Sequence, residues 1–247
     1  MPSNPKLLLL PVFIFSYLFT SAQLIDSLNT AKNCLYMKPE EREMIYEINR
    51  VRSNPRSYLQ YIEPMLKEAQ QNLKEHGKGG RNYSLTYSTV TVSGKEVKTI
   101  DTTWHYITEE NVKALSSLVN DLKKLKQLSV LQPEIGIYLA AREHAIDNNT
   151  HEWRLLHTGS NGSYPWDRIK KYAPAMNTGN ENIAGSSGRP VARNTVIQLL
   201  VDGGIPGYGH RYNLLDPKWT HVACTYEIYN DWMCYWVQNF GAKKQSQ

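Results

Sequence analysis

Three short polar segments in the last hundred residues constrain the fold of this 247-residue chain more than any other feature. They are 157–159 (His-Thr-Gly), 181–185 (Glu-Asn-Ile-Ala-Gly) and 209–215 (Gly-His-Arg-Tyr-Asn-Leu-Leu). Each places an imidazole or a carboxylate beside glycine or another small residue. That pattern is typical of a polar site that solvent can reach, and core packing alone does not explain it. We therefore expect these segments to form a surface site.

Length and composition indicate a folded protein with its own core. The chain fits one domain with insertions or two small domains. With 41% apolar and 21% charged residues it has the composition of a globular protein, which excludes disorder throughout. Its lysines are dispersed among acidic residues and form no polybasic stripe. We therefore expect no nucleic-acid partner.

The first 22 residues have the organisation of a secretory signal. Lys6 is their only charge, residues 7–19 are mostly apolar, and Thr20-Ser21-Ala22 is a small-residue cleavage site. Cleavage would lower the net charge from +5 to +4 and leave no stable membrane span. We predict a secreted, extracellular or periplasmic protein that begins near Gln23, and an uncleaved anchor is the alternative.

Three cysteines would then meet an oxidising compartment: Cys34, Cys224 and Cys234. Two strand-like runs, 220–228 and 232–240, flank a short turn and carry Cys224 and Cys234. A disulfide across this hairpin is our prediction, with Cys34 left over. Three unpaired thiols are the alternative, because spacing alone does not prove a bond.

Hydrophobic periodicity predicts several helices and a strand-rich C-terminal end. Residues 23–37 have no clear period and are predicted to be a linker, and the domain is predicted to span 38–247. Helices are expected from Lys38, from Pro55 to about Leu73, near 108–125, after Pro133 and after Asn194 as N-cap. Within 74–108, two alternating runs around Ser93-Gly94 predict an inserted β-hairpin. The fold class is α+β.

The polar segments, in this order, resemble the CAP superfamily of cysteine-rich secretory, antigen 5 and pathogenesis-related-one proteins, especially its bacterial-type members. Further matching segments lie at 140–147, 165–169, 198–206, 222–224 and 239–241. Each motif alone is weak, but their shared order extends over roughly half of the chain. The resemblance implies a three-layer α-β-α sandwich.

The family brings two histidines and two acidic residues together in a cleft. Motif matching assigns His157, His210 and Glu181. Eukaryotic relatives have a second glutamate where this chain has none, and Asp202 is the nearest carboxylate. Asp202 is either the fourth member or a residue that holds the 203–209 loop by hydrogen bonds.

This resemblance implies Zn²⁺ or another divalent cation as cofactor, with His157 and His210 as ligands. Two ligands are fewer than the three usual at catalytic zinc, so modest affinity is expected. Glu181 and Asp202 are the candidate catalytic residues. The alternative is a polar network that braces three loops and has no turnover.

Four aromatic residues near the motifs predict an apolar rim for a sugar or lipid: Tyr164, Trp166, Tyr208 and Tyr212. Packing against neighbouring loops is the alternative. The primary functional hypothesis is a secreted binding module for a lipid, glycan or protein ligand. The second is a metal-assisted extracellular hydrolase of peptide or envelope material, with Glu181 as general base.

Overall fold

The computed structural model describes residues 27–77, 81–92, 95–106, 109–151, 156–230 and 233–243, with the backbone alone for both strands of 81–106. Its α-helices are α1 Pro39–Ser53, α2 Leu59–His76, α3 Glu109–Lys124, α4 Ile135–Thr150, α5 Pro165–Tyr172, α6 Ala192–Val201 and α7 Gly209–Leu215. Short 3₁₀ turns span Pro55–Tyr58 and Pro206–Tyr208. The strands are β1 Arg81–Val92, β2 Lys95–Tyr106, β3 Gln132–Pro133, β4 Met176–Ser187, β5 His221–Asn230 and β6 Met233–Lys243.

Two separate sheets form from these strands. The central sheet has the order β3-β5-β6-β4, in which β3 runs parallel to β5 and the other pairs are antiparallel. β1 and β2 form the predicted hairpin by themselves, with Val92 opposite Lys95. The result is an α+β fold with an inserted hairpin, as the sequence predicted.

Helices cover both faces of the central sheet and produce the three layers. Alternate residues of β6 point to opposite faces. Tyr235 and Val237 pack with Ala141 and Ala145 of α4, whereas the Gln238 amide reaches Met44 of α1 at 3.1 Å. α4 and α5 therefore form one outer layer, and α1, α6 and α7 lie on the opposite side.

Paired glycines allow the α4 and α5 layer to approach the sheet closely. Gly179 of β4 lies opposite Gly241 of β6. A Cβ atom on Gly179 would come within 2.6 Å of Ile169 Cδ1, and one on Gly241 within 2.6 Å of Ile137 Cδ1. No side chain fits at either position without moving the facing helix.

The segment predicted as a linker is part of the folded domain from residue 27 onward. Leu28, Ala31 and Met37 are buried in the core. Asn49 of α1 binds this segment through a hydrogen bond from its amide to the Leu28 carbonyl at 3.1 Å. Residues 27–37 lack a hydrophobic period because isolated apolar side chains, rather than a helical stripe, fix them to the domain.

The predicted disulfide between Cys224 and Cys234 is wrong. Cys224 lies opposite Gln238, while Cys234 lies opposite Ile228, so the two thiols are four positions apart in register. That offset is about 13 Å along the strands, far beyond the reach of a disulfide. Both are free buried thiols, Cys34 is also free, and burial raises the pKa of the Cys224 thiol well above its usual range.

None of the helices in the described ranges has the length and apolar character that crossing a membrane requires.

Candidate functional site at the edge of the sheet

The cleft that contains both predicted histidines lies along the free edge of β4. It has a volume of about 440 Å³ and is lined by His157, Asn180, Glu181, Ile183, Ile205, Gly209, His210 and Asn213. Glu181 points to the face covered by α4, and the neighbouring Asn182 points to the opposite face. His157 lies on the face covered by α4, and His210 lies on the opposite face. The cleft therefore extends across the edge of β4 from one face of the sheet to the other.

Glu181 orients the ring of His157. His157 Nδ1 lies 3.0 Å from Glu181 Oε1. The His157 side chain is 48% exposed, whereas that of Glu181 is fully buried. Because a carboxylate can only accept, Nδ1 carries a proton in this contact, and in the neutral ring Nε2 is then the acceptor nitrogen.

Asp202 performs the same role for His210. Asp202 Oδ1 lies 2.7 Å from His210 Nδ1, and Oδ2 accepts from the backbone N–H of His210 at 2.9 Å. Asp202 ends α6 in a left-handed conformation with φ of 53°. Its carboxylate therefore bonds both the ring and the backbone of His210.

Arg168 supplies the charge that balances Glu181, and its role in the site was missed at the sequence level. Its guanidinium lies 3.0 Å from Glu181 Oε2 and 3.2 Å from Oε1. It also donates to the His157 carbonyl at 2.9 Å, which holds the histidine backbone. Arg168 lies in the 165–169 segment, one of those on which the family resemblance rests.

Asn239 and His144 complete the buried surroundings of Glu181. The Asn239 amide, oriented so that both of its ends are satisfied, donates to Glu181 Oε2 at 3.0 Å and accepts from the Ala141 N–H at 3.2 Å. His144 Nε2 lies 2.8 Å from the Leu156 carbonyl and 3.5 Å from Glu181 Oε1. Burial lowers the pKa of His144, although the charge of Glu181 opposes this effect. His144 is therefore a buried histidine held by hydrogen bonds within the core.

Asparagines join α7 to β4 behind the cleft. The Asn213 amide donates to Asn182 Oδ1 at 2.8 Å and accepts from Asn180 at 2.9 Å. Asn182 donates to the His210 carbonyl at 3.2 Å. These bonds fix the backbone of His210 relative to the strand that carries Glu181.

The two histidines have one feature that is common among histidine ligands of metals. In metalloproteins a histidine ligand usually donates its second N–H to a carboxylate or carbonyl. Both histidines here have that partner on Nδ1, and within the described part of the chain neither Nε2 has a hydrogen-bond partner. No group of three or more His, Cys, Asp or Glu side chains that could hold a metal occurs among the described residues. Water or a ligand would have to complete the coordination.

The four aromatic residues predicted to form a rim do not line this cleft. Tyr164 and Tyr212 are 61% and 68% exposed, and Trp166 packs on the core. Tyr208 stacks on Arg211 at 4.1 Å and lines a different cavity, near Glu110. The aromatic residues therefore lie around separate parts of the surface.

A second cavity of about 670 Å³ adjoins the cleft. The two share Ile183, Ile205 and His210. Its further walls come from α2, α3, β4, α6 and the loop after α6: Met65, Asn111, Ala184, Gly185, Asn194, Ile197, Gln198, Leu199, Val201, Asp202 and Gly203. We call this cavity the apolar groove.

The helix–sheet–helix layers and the paired histidines at the sheet edge define a CAP-type domain. The sequence model of the cysteine-rich secretory protein family matches residues 116–240, just over half of the chain, and the chain belongs to this family.

Two solved structures are similar to the chain. An outer surface protein of Borrelia burgdorferi has 26% identity and a TM-score of 0.41, covering 55% of this chain and 95% of that one. An extracellular protein of Bacillus anthracis that contains an SCP domain has 15% identity and a TM-score of 0.39, covering 71% of each chain. No curated protein matches.

Proposed function

We propose that this chain is an extracellular ligand-binding module whose cleft holds a divalent cation between His157 and His210. The observation that carries the proposal is the pair of carboxylate–histidine contacts, at 3.0 Å and 2.7 Å, both made by Nδ1, so that neither Nε2 has a partner among the described residues. Membership of a family named for secretory proteins and the signal-like first 22 residues support an extracellular location.

The protein supplies orientation and an ordered surrounding for such a cation. Glu181 and Asp202 hold the two rings, Arg168 balances the charge of Glu181, and Asn213 and Asn182 fix the backbone of His210. A bound cation would attract and polarise an oxygen atom of the ligand. With two histidine ligands, the cleft leaves space for such a group.

A hydrolase with Glu181 as general base has less support from the geometry. Both Glu181 oxygens already accept hydrogen bonds from His157, Arg168 and Asn239, and the side chain is fully buried. A general base needs a free lone pair within reach of the proton that it removes. The arrangement therefore favours binding over turnover.

Calorimetric titration of Zn²⁺ into the purified protein tests the proposal. We expect saturable binding that the His157→Ala/His210→Ala variant loses. The matched control is His76→Ala/His151→Ala, which removes two exposed histidines elsewhere. It should retain the affinity within about threefold. Wild-type protein without saturable binding, or equal loss in both double variants, would refute the cation site.

Asp202→Asn tests the role of the carboxylate without disturbing the turn. Asparagine has the same shape and tolerates the left-handed conformation that Asp202 adopts. We expect zinc affinity to fall about 10- to 100-fold, the usual effect of removing such a partner. Unchanged affinity at equal foldedness by circular dichroism would show that Asp202 only holds the loop.

A further inference from the structure

The outer edge of β4 has backbone groups directed into the cleft and the apolar groove. In an antiparallel pair, alternate residues direct both N–H and C=O to the same side. The Glu181 carbonyl accepts from Asn213 at 3.3 Å, and the Gly185 carbonyl accepts from Gln198 at 3.3 Å. Both lie on the side away from β6. Ile183 is midway between them, so its N–H and C=O point the same way.

At Ile183 this edge of the sheet is open on the side of the two cavities. It is only 6% exposed, and its edge groups have no hydrogen-bond partner within the described part of the chain. The opposite edge of the sheet differs: the Tyr226 N–H donates to Glu41 at 3.3 Å, and its carbonyl accepts from Lys38 at 2.8 Å. Backbone groups left unpaired near the interior are destabilising, so an open pair facing a cavity indicates a ligand position.

The described walls of the cavity beside Ile183 are mostly apolar. Its walls include Met65, Ile197, Val201 and Ile205, and its polar groups are mainly the carboxamides of Asn111, Asn194 and Gln198. Among the described lining residues Asp202 is the one carboxylate, and it is buried and bonded to His210. Such walls suit uncharged apolar side chains, while the Ile183 backbone offers one donor and one acceptor to a polar main chain.

We propose that the ligand of this site is an extended peptide that pairs with Ile183 as a short added strand. One apolar side chain of the peptide occupies the groove against Met65, and its backbone continues past His210 into the cleft. An acyl chain would fill the same walls but leave both Ile183 groups unpaired, which is why the edge favours a peptide. The proposal takes the cleft of the proposed function as the ligand site but does not require the cation.

Selection from a random heptapeptide library displayed on phage tests this inference, with the purified full chain as target in EDTA. We expect enrichment of sequences with apolar residues. A synthetic, end-blocked peptide of the best sequence should bind at least tenfold more weakly to Met65→Glu. Leu139→Glu, at a position of matched exposure (39% against 38%) on α4, should bind it like wild type.

Methylation of single peptide nitrogens separates strand pairing from simple apolar contact. Methylating the nitrogen that faces Ile183 should weaken binding at least tenfold, whereas methylation at the adjacent residue should change it little. Three results would each overturn the inference. The selection could enrich no sequence, the peptide could bind Met65→Glu as well as wild type, or no single methylation could weaken binding. Zinc titration of the same preparation distinguishes the two proposals. Peptide binding without zinc binding refutes only the cation site. Zinc binding without peptide binding refutes only the peptide inference.

Discussion

Replacing Arg168 by methionine should destabilise the domain strongly because it isolates a buried carboxylate. Arg168 is 2% exposed and Glu181 fully buried, and the guanidinium contacts both carboxylate oxygens at 3.0 and 3.2 Å. Breaking a buried ion pair by removing one partner costs about 3–5 kcal/mol. His157 and Asn239 still bond to Glu181 in the variant, which places the expected loss near the lower value, about 3 kcal/mol.

Lys171→Met on the same helix is the matched control. Lys171 contacts Glu143 at 2.9 Å, but the two side chains are 57% and 27% exposed. Water screens such a pair, so its loss should leave the free energy of unfolding almost unchanged. The two variants remove the same kind of interaction at different depths of burial.

Urea denaturation of the wild type, both single variants and Arg168→Met/Glu181→Gln provides the measurement. The loss of unfolding free energy in the double variant should be smaller than the sum of the losses in the two single variants, by at least about 1.5 kcal/mol. The reason is that glutamine at position 181 needs no counter-ion. In a thermal scan, Arg168→Met should lower Tm by about 6–12 °C at 2–4 °C per kcal/mol. A loss equal to that of Lys171→Met, or additive effects in the double variant, would refute the assignment of Arg168 as the counter-ion of Glu181.

Two further predictions concern packing and pH. Gly241→Ala should lower the free energy of unfolding, measured with urea, by about 1–3 kcal/mol, because its Cβ would lie 2.6 Å from Ile137 Cδ1. Gly209→Ala is the control, since its Cβ meets nothing within 4 Å. Equal effects of the two changes would contradict the packing argument. Burial lowers the pKa of His144 in the folded protein. Below the ordinary histidine pKa of 6.5, the unfolded chain therefore binds more protons than the folded one, and the free energy of unfolding should fall as pH decreases through that value. The free energy of unfolding should therefore decline more steeply from pH 7.5 to 5 in wild type than in His144→Gln, and parallel profiles would exclude His144 as the cause.

Local patterns predicted the helices and the hairpin well. Pro39 followed by two glutamates marks the start of α1, where acidic side chains favour the positive end of the helix. Around Ser93-Gly94, the alternation of side chains places the two strands of the hairpin correctly. The boundary of α6 was less accurate: it begins at Ala192, so Asn194 lies in the first turn and is not the N-cap.

Contacts between distant segments account for the features that the sequence analysis missed. The buried role of Arg168 depends on α5 lying over β4, which no local spacing encodes. The disulfide prediction failed because residue spacing does not determine the register of β5 and β6. The contacts of Asp202 with the ring and the backbone of His210 likewise depend on the path of the loop between them, which the sequence alone does not determine.

The position of the cleft on the rim of the sheet has a mechanical consequence. His157 is anchored to the α5 side through Arg168, and His210 is anchored to the other side through Asn182. A ligand bound by both rings would therefore connect the two outer layers of the domain. Its binding should raise the resistance of the whole domain to unfolding, by an amount set by ligand concentration relative to Kd, instead of tightening one loop alone.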